Sequence, residues 1–233
     1  MIHNKKEFTG GLVLIVAFFI VLIAMFQPIF DGHNAMGYLD NLYNSISKGS
    51  AYYVDNLKEE AKTVSGYQVN VTMKMESEAQ AADSVTLITA AGATATAQGK
   101  ELTVSGDYLA ILSASLEDAD KMYHNDGAAL KAKYPIYESK DDRQALYNWN
   151  KILSGLDKGL TEQEAFAEAK VAFNINAKVV ETAYNYYSIV PEQIRDKAGI
   201  VIFSLVFYVV YTMWYGFGIL FMFEGWGLKI SGH

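Results

Sequence analysis

The chain has 233 residues, a net charge of −7 and no cysteine. The missing thiols exclude disulfides, thiolate-held metals, iron–sulfur clusters and covalently attached c-type haem. The acidic balance argues against nucleic acid or anionic lipid as a ligand. The 51% hydrophobic content is gathered into two blocks rather than spread along the chain.

The first block covers residues 11–30, after a short N-terminal stretch 1–10. Its centre, LVLIVAFFIVLIAMF at 12–26, has no charge and no hydrogen-bonding side chain, and its length suits a bilayer core. Lys5 and Lys6 give it the basic start of a signal peptide. The run Met25-Phe26-Gln27-Pro28-Ile29-Phe30 offers no small-residue cleavage site, so a retained anchor is expected.

Pro28 and the Asp31-Gly32 pair then break the span, and Asn34 is placed to cap a long helix over 34–62. In it Leu39, Leu42, Ile46, Gly49, Tyr53 and Asn56 follow helical spacing, with Gly49-Ser50 weakening its middle and allowing a kink. Ser65-Gly66 is a turn. From Tyr67 to Met75 apolar and polar residues alternate without a miss, the mark of a half-buried strand. A helix over 76–91 follows, then two short strands at 93–98 and 101–105 around Gly99-Lys100. A further helix runs from Gly106-Asp107 to His124 and is closed by Asn125-Asp126-Gly127. Together 67–126 makes a small antiparallel sheet with helices on one face.

The remainder is helical. Asp141 or Asp142 is placed to cap a helix carrying Leu146, Trp149, Ile152 and Leu153. Gly155 to Gly159 reads as a turn, after which the capping-box sequence Thr161-Glu162-Gln163-Glu164 starts a long helix over 161–187. Its stripe is Phe166, Ala169, Phe173, Ala177, Val180, Tyr184 and Tyr187. The helices 34–62 and 161–187 are expected to pair as a stalk.

The second span, residues 198–223, is charge-free from Ile200 but differs in texture. Ser204, Tyr208, Tyr211 and Tyr215 recur at spacings that place them on one helix face, with Gly216 and Gly218 close by. Polar and small residues inside a span tend to face other protein. These six residues are therefore the expected partner interface, toward other integral membrane subunits. The fold class implied is an α+β membrane protein: two transmembrane helices flank a mainly helical extracytoplasmic domain, 31–197, that carries a small antiparallel sheet.

Lys5, Lys6 and Lys229 flank the outer ends of the spans, and Lys48, Arg195 and Lys197 the inner ends, so the count is level by the positive-inside rule. The intervening region holds 24 of the 26 acidic and 16 of the 19 basic residues, a net charge of −8. The expected placement is both termini, including the tail 224–233, in the cytoplasm and the domain outside the plasma (inner) membrane, in the periplasm or its equivalent.

Chemistry is sparsely signalled. The four histidines His3, His33, His124 and His233 all lie outside the spans, so the chain does not bind haem b between its own helices by histidine. Glu117, Asp120 and His124 share a helix face with spacings suited to a divalent cation, but an ordinary solvated face explains them better. Asp31 and His33 form a weaker pair. No nucleophile elbow or phosphate loop occurs, and Glu76 and Glu78 point to different sides. Glu224 follows the second span, within reach of Lys229. The sequon Asn70-Val71-Thr72 falls inside the strand and is attributed to chance. No cofactor is expected.

Two roles fit. One is a non-catalytic accessory subunit of a larger membrane complex, respiratory or transport, with a docking domain for an extracytoplasmic protein partner. The other is a membrane-anchored ligand-binding or sensory protein. It would have the span–domain–span layout of chemoreceptors but would signal through a partner, since only 224–233 follow the second span. A metal-dependent enzyme is the remaining alternative.

Overall fold

The computed structural model of the protein describes residues 2–30 and 32–228. It divides into two compact units, residues 1–47 with 191–233 and residues 48–190.

The first unit is an apolar hairpin. Helix α1 (Lys5–Met25) starts where Asn4 Oδ1 accepts from the Lys6 and Glu7 amides. It ends before Pro28, whose ring disfavours helical backbone at the preceding residue. Thus the helix begins earlier than the expected span 11–30 and stops short of its end. Helix α10 (Ile194–Trp226) exceeds the expected 198–223 at both ends and stops at Gly227, whose φ of 89° suits a C-cap glycine. At 1.5 Å per residue α1 is about 32 Å long and α10 about 50 Å. Only 6% of the apolar window of α1, and none of that of α10, is buried within the chain. Neither helix is therefore the core of a soluble fold, and both are long and apolar enough to cross a bilayer. Asn34 caps α2 (Ala35–Ser50) as its position suggests, accepting from the Gly37 amide at 2.8 Å.

The second unit is an α+β domain. In chain order it holds α3 (Val54–Lys62), β1 (Gln68–Lys74), α4 (Glu78–Ala90), β2 (Thr94–Gln98), β3 (Glu101–Asp107) and α5 (Tyr108–Tyr123). These are followed by α6 (Gly127–Lys133), a 3-10 turn (Pro135–Tyr137), α7 (Gln144–Glu162), α8 (Phe166–Ile175), a π turn (Asn176–Val180) and α9 (Glu181–Asn185). The sheet is antiparallel with order β1-β3-β2. The strand expected at 67–75 is β1, whose burial alternates without a miss.

Three expectations are corrected. The helix over 34–62 is interrupted at residues 51–53, so α2 and α3 are separate. No turn forms at Gly155–Gly159: α7 runs straight through them, and the capping-box residues Thr161 and Glu162 end a helix instead of starting one. The two glycines serve packing, because a Cβ on Gly155 would lie 2.8 Å from Met73 Cβ, and one on Gly159 would collide with Val71. They let α7 approach the inner face of β1. Finally, 161–187 is not one helix, since Glu164 turns the chain at a φ of 61° and the π turn follows α8. The buried apolar residues there are Ala169, Val171, Ala172, Ile175, Val179, Val180 and Ala183, while Phe166 and Phe173 are 63% and 57% exposed.

As a result α3, α8 and α9 are built into the domain and do not form a stalk. One hydrophobic core runs from Val54 to Ala183, with Trp149, Tyr108, Leu87 and Ile111 fully buried.

Candidate functional site

The residues expected to meet other membrane subunits divide into two groups. Tyr211, Tyr215 and Gly218 face the chain's own α1. The Tyr211 ring stacks on Phe18 at 4.3 Å and its hydroxyl donates to the Phe18 carbonyl at 3.0 Å. Tyr215 lies 5.0 Å from the same phenyl ring. A Cβ on Gly218 would fall 2.8 Å from Ile15 Cδ1. Ser204 lies farther along α10, its Oγ 2.7 Å from the Tyr43 hydroxyl of α2.

Tyr208 and Gly216 take no part in this seam. Tyr208 is 70% exposed, its hydroxyl has no hydrogen-bond partner among the described residues, and Gly216 has open space around it.

Three seam residues had escaped the sequence. Gly11 is one, where a Cβ would sit 2.6 Å from Met222 N and 2.7 Å from Gly218 O. Gly225, seven positions after Gly218, meets the backbone of Phe8. Trp214 donates from Nε1 to the Leu14 carbonyl at 3.1 Å. The heptad spacing of Gly218 and Gly225 was a usable signal. The hydrogen bonds were not, because their acceptors, Phe18 O and Leu14 O, are main-chain carbonyls in the part of α1 that carries no polar side chain. At the outer end the His3 and Asn4 amides both donate to Gly225 O at 2.9 Å, so the two helices run antiparallel and their outer ends lie together.

In the domain, Asp120 and His124 do meet, with Nδ1 3.3 Å from Oδ1. The same carboxylate oxygen accepts from the Tyr52 hydroxyl at 2.9 Å. Tyr52, Tyr123 and His124 form a ring cluster with centroids 5.2 to 5.8 Å apart. Burial, then the hydrogen bond and charge of Asp120, push the Tyr52 phenol up to about 12. Glu117 stays exposed and outside the pair. No group of three metal-binding side chains occurs among the described residues. The pairing of Asp31 with His33, and of Glu224 with Lys229, lies outside them.

Two buried charged groups organise the domain. Asp118 accepts from Lys133 Nζ at 2.7 Å, the Tyr134 hydroxyl at 2.7 Å and Trp149 Nε1 at 2.8 Å, tying α5 to α6 and α7. Lys48 is fully buried and donates to Asn125 Oδ1 at 2.9 Å, Tyr186 O at 2.9 Å and Ile189 O at 2.7 Å. It satisfies carbonyls just beyond α9, where a cation is favoured. Burial lowers its pKa. Comparison with protein-family models, curated proteins and solved structures finds no match.

Proposed function

We propose that the chain is a non-catalytic accessory subunit of a larger membrane complex, carrying its domain on the extracytoplasmic side. The observation that carries this is Tyr208. The hairpin satisfies Tyr211 and Trp214 on its own carbonyls and packs the Tyr215 ring against Phe18. It leaves Tyr208, 70% exposed and eight residues into the apolar stretch of α10, with neither a hydrogen-bond partner for its hydroxyl nor a ring contact among the described residues. A hydroxyl facing hydrocarbon without a partner is disfavoured, and Gly216, two turns on, leaves room for another helix to approach. In the domain, the outward phenyl rings of Phe166 and Phe173 add large contact groups of the kind enriched at interfaces.

The orientation gains support from Lys48. Counted as a flanking charge it made the tally level, but buried on carbonyls it belongs to the domain's interior. Setting it aside leaves the outer ends of the spans with the larger share of positive charge.

The test is purification of the native chain in mild detergent with sizing of what travels with it. A second membrane polypeptide in fixed ratio is the expected outcome, and a lone monomer or homodimer contradicts the proposal. Sidedness is read separately. The chain has no cysteine, so a Thr63→Cys variant in intact cells is expected to react with a membrane-impermeant thiol reagent. Reaction only after lysis would reverse the orientation.

A further inference from the structure

Strand β1 forms one margin of the sheet. Along an antiparallel strand every second residue turns its N–H and C=O away from the ladder. Two hydrogen bonds fix the phase: Tyr67 O accepts from the Tyr108 amide, and the Met75 amide donates to Lys100 O. Odd-numbered residues therefore face β3, while Asn70, Thr72 and Lys74 face outward. Of these outward groups, Asn70 O accepts from Gln163 Nε2 at 2.9 Å. Those of Thr72 and Lys74 meet no partner among the described residues.

Directly beneath this margin lies α7, seated on Met73 and Val71 through Gly155 and Gly159. Its flank, Lys151, Ser154 and Lys158, floors a groove of about 430 Å³ beside Thr72 and Lys74. A row of alternating main-chain donors and acceptors over such a floor is matched by an added strand.

We infer that the β1 margin accepts an extended segment of a partner polypeptide that points an acidic side chain into the groove. The charge fits. Lys151 is held by Glu76 at 2.7 Å, while Lys74 and Lys158 have no ion-pair partner among the described residues. With Glu162 as the other anion lining it, the groove is net positive in a domain that is acidic as a whole. A second copy fits worse. Two β1 margins paired across a two-fold axis would lie about 4.8 Å apart and bring the α7 helix of each copy to that spacing, whereas packed helices need about 8–10 Å. A single strand without a helical layer of its own meets no such obstacle.

This rests on the subunit proposal, since the strand comes from a partner. Hydrogen–deuterium exchange on the full chain tests it, comparing native membranes with the chain purified to homogeneity. Residues 68–74 are expected to exchange at least about tenfold more slowly in the membranes, with 94–98 at the β2 margin unchanged. A Lys158→Glu chain in membranes is expected to lose that protection. Equal exchange of 68–74 in both preparations, with a partner co-purifying, would sink this inference and leave the subunit proposal standing. Equal exchange with no partner would sink both. Protection that survives purification and fades on dilution would assign the margin to a second copy and overturn the inference.

Discussion

In the hairpin, α1 and α10 meet at Gly11, Gly218 and Gly225, and the polar side chains that cross the seam end on main-chain carbonyls. In the domain, Trp149, Tyr108 and Leu87 are fully buried in a common core, and two charged groups, Asp118 and Lys48, are buried as well, each held by three hydrogen bonds. The contrast follows from the two solvents. Between helices in lipid there is no gain from hiding apolar surface, so close backbone approach and a few hydrogen bonds must suffice. In water the same burial contributes about 25 cal/mol per Å², enough to offset the burial of a few well-partnered charges.

The largest effect should come from Asp118. Asp118→Ala leaves the Tyr134 hydroxyl and Trp149 Nε1 without their acceptor, and loss of one partner from such a buried set costs about 3–5 kcal/mol. Urea unfolding of the full chain is the check, with Asp118→Asn expected to lose less. Next, Gly159→Ala should weaken the domain by about 1–3 kcal/mol, as overpacking does, because the new methyl collides with Val71. A stabilised protein would mean that α7 is free to shift.

The hairpin offers a paired contrast. Gly218→Leu should part α1 from α10, whereas Gly216→Leu, with nothing within 4 Å, should leave the seam intact. Disulfide trapping between cysteines introduced at Leu14 and Trp214 reads the difference, and equal trapping in both variants would refute the glycine seam.

The smallest effect is alkaline. The Tyr52 phenol is raised from 10.0 to about 12, and burial raises Tyr108, Tyr123, Tyr134 and Tyr137 in the same direction. A raised folded value means that the unfolded chain releases its protons first. The stabilisation is complete below pH 10 and is lost as pH climbs toward the folded values. Phenolate absorbance should therefore rise in two stages, the second together with loss of structure.

Period and punctuation carried much of this fold. The alternation at 67–75 and the Gly99-Lys100 turn located the sheet, and the two apolar blocks located α1 and α10. What failed was the meaning of glycine. At Gly155 and Gly159 a breaker in one dimension proved to be a contact in three, with its cause in Met73 and Val71, some eighty residues away. Phe166 and Phe173 failed for a related reason: helical spacing fits more than one face of α8, and only the rest of the core decides which is buried. Of the candidate interface, Gly218 and Tyr211 were found from the sequence but given to a foreign helix, because an acceptor on the backbone of α1 leaves no trace in its side chains. Lys48 was counted as a surface charge, since its acceptors lie at Asn125 and beyond Tyr186.

The subunit proposal is tested most directly by Tyr208→Leu in the full chain, extracted in mild detergent and sized beside the parent. Tyr208 faces away from the seam, so the hairpin should stay intact while the complex falls to the size of the lone chain or loses its membrane partner. A complex of unchanged size and composition would contradict the proposal that this face of α10 docks another membrane subunit.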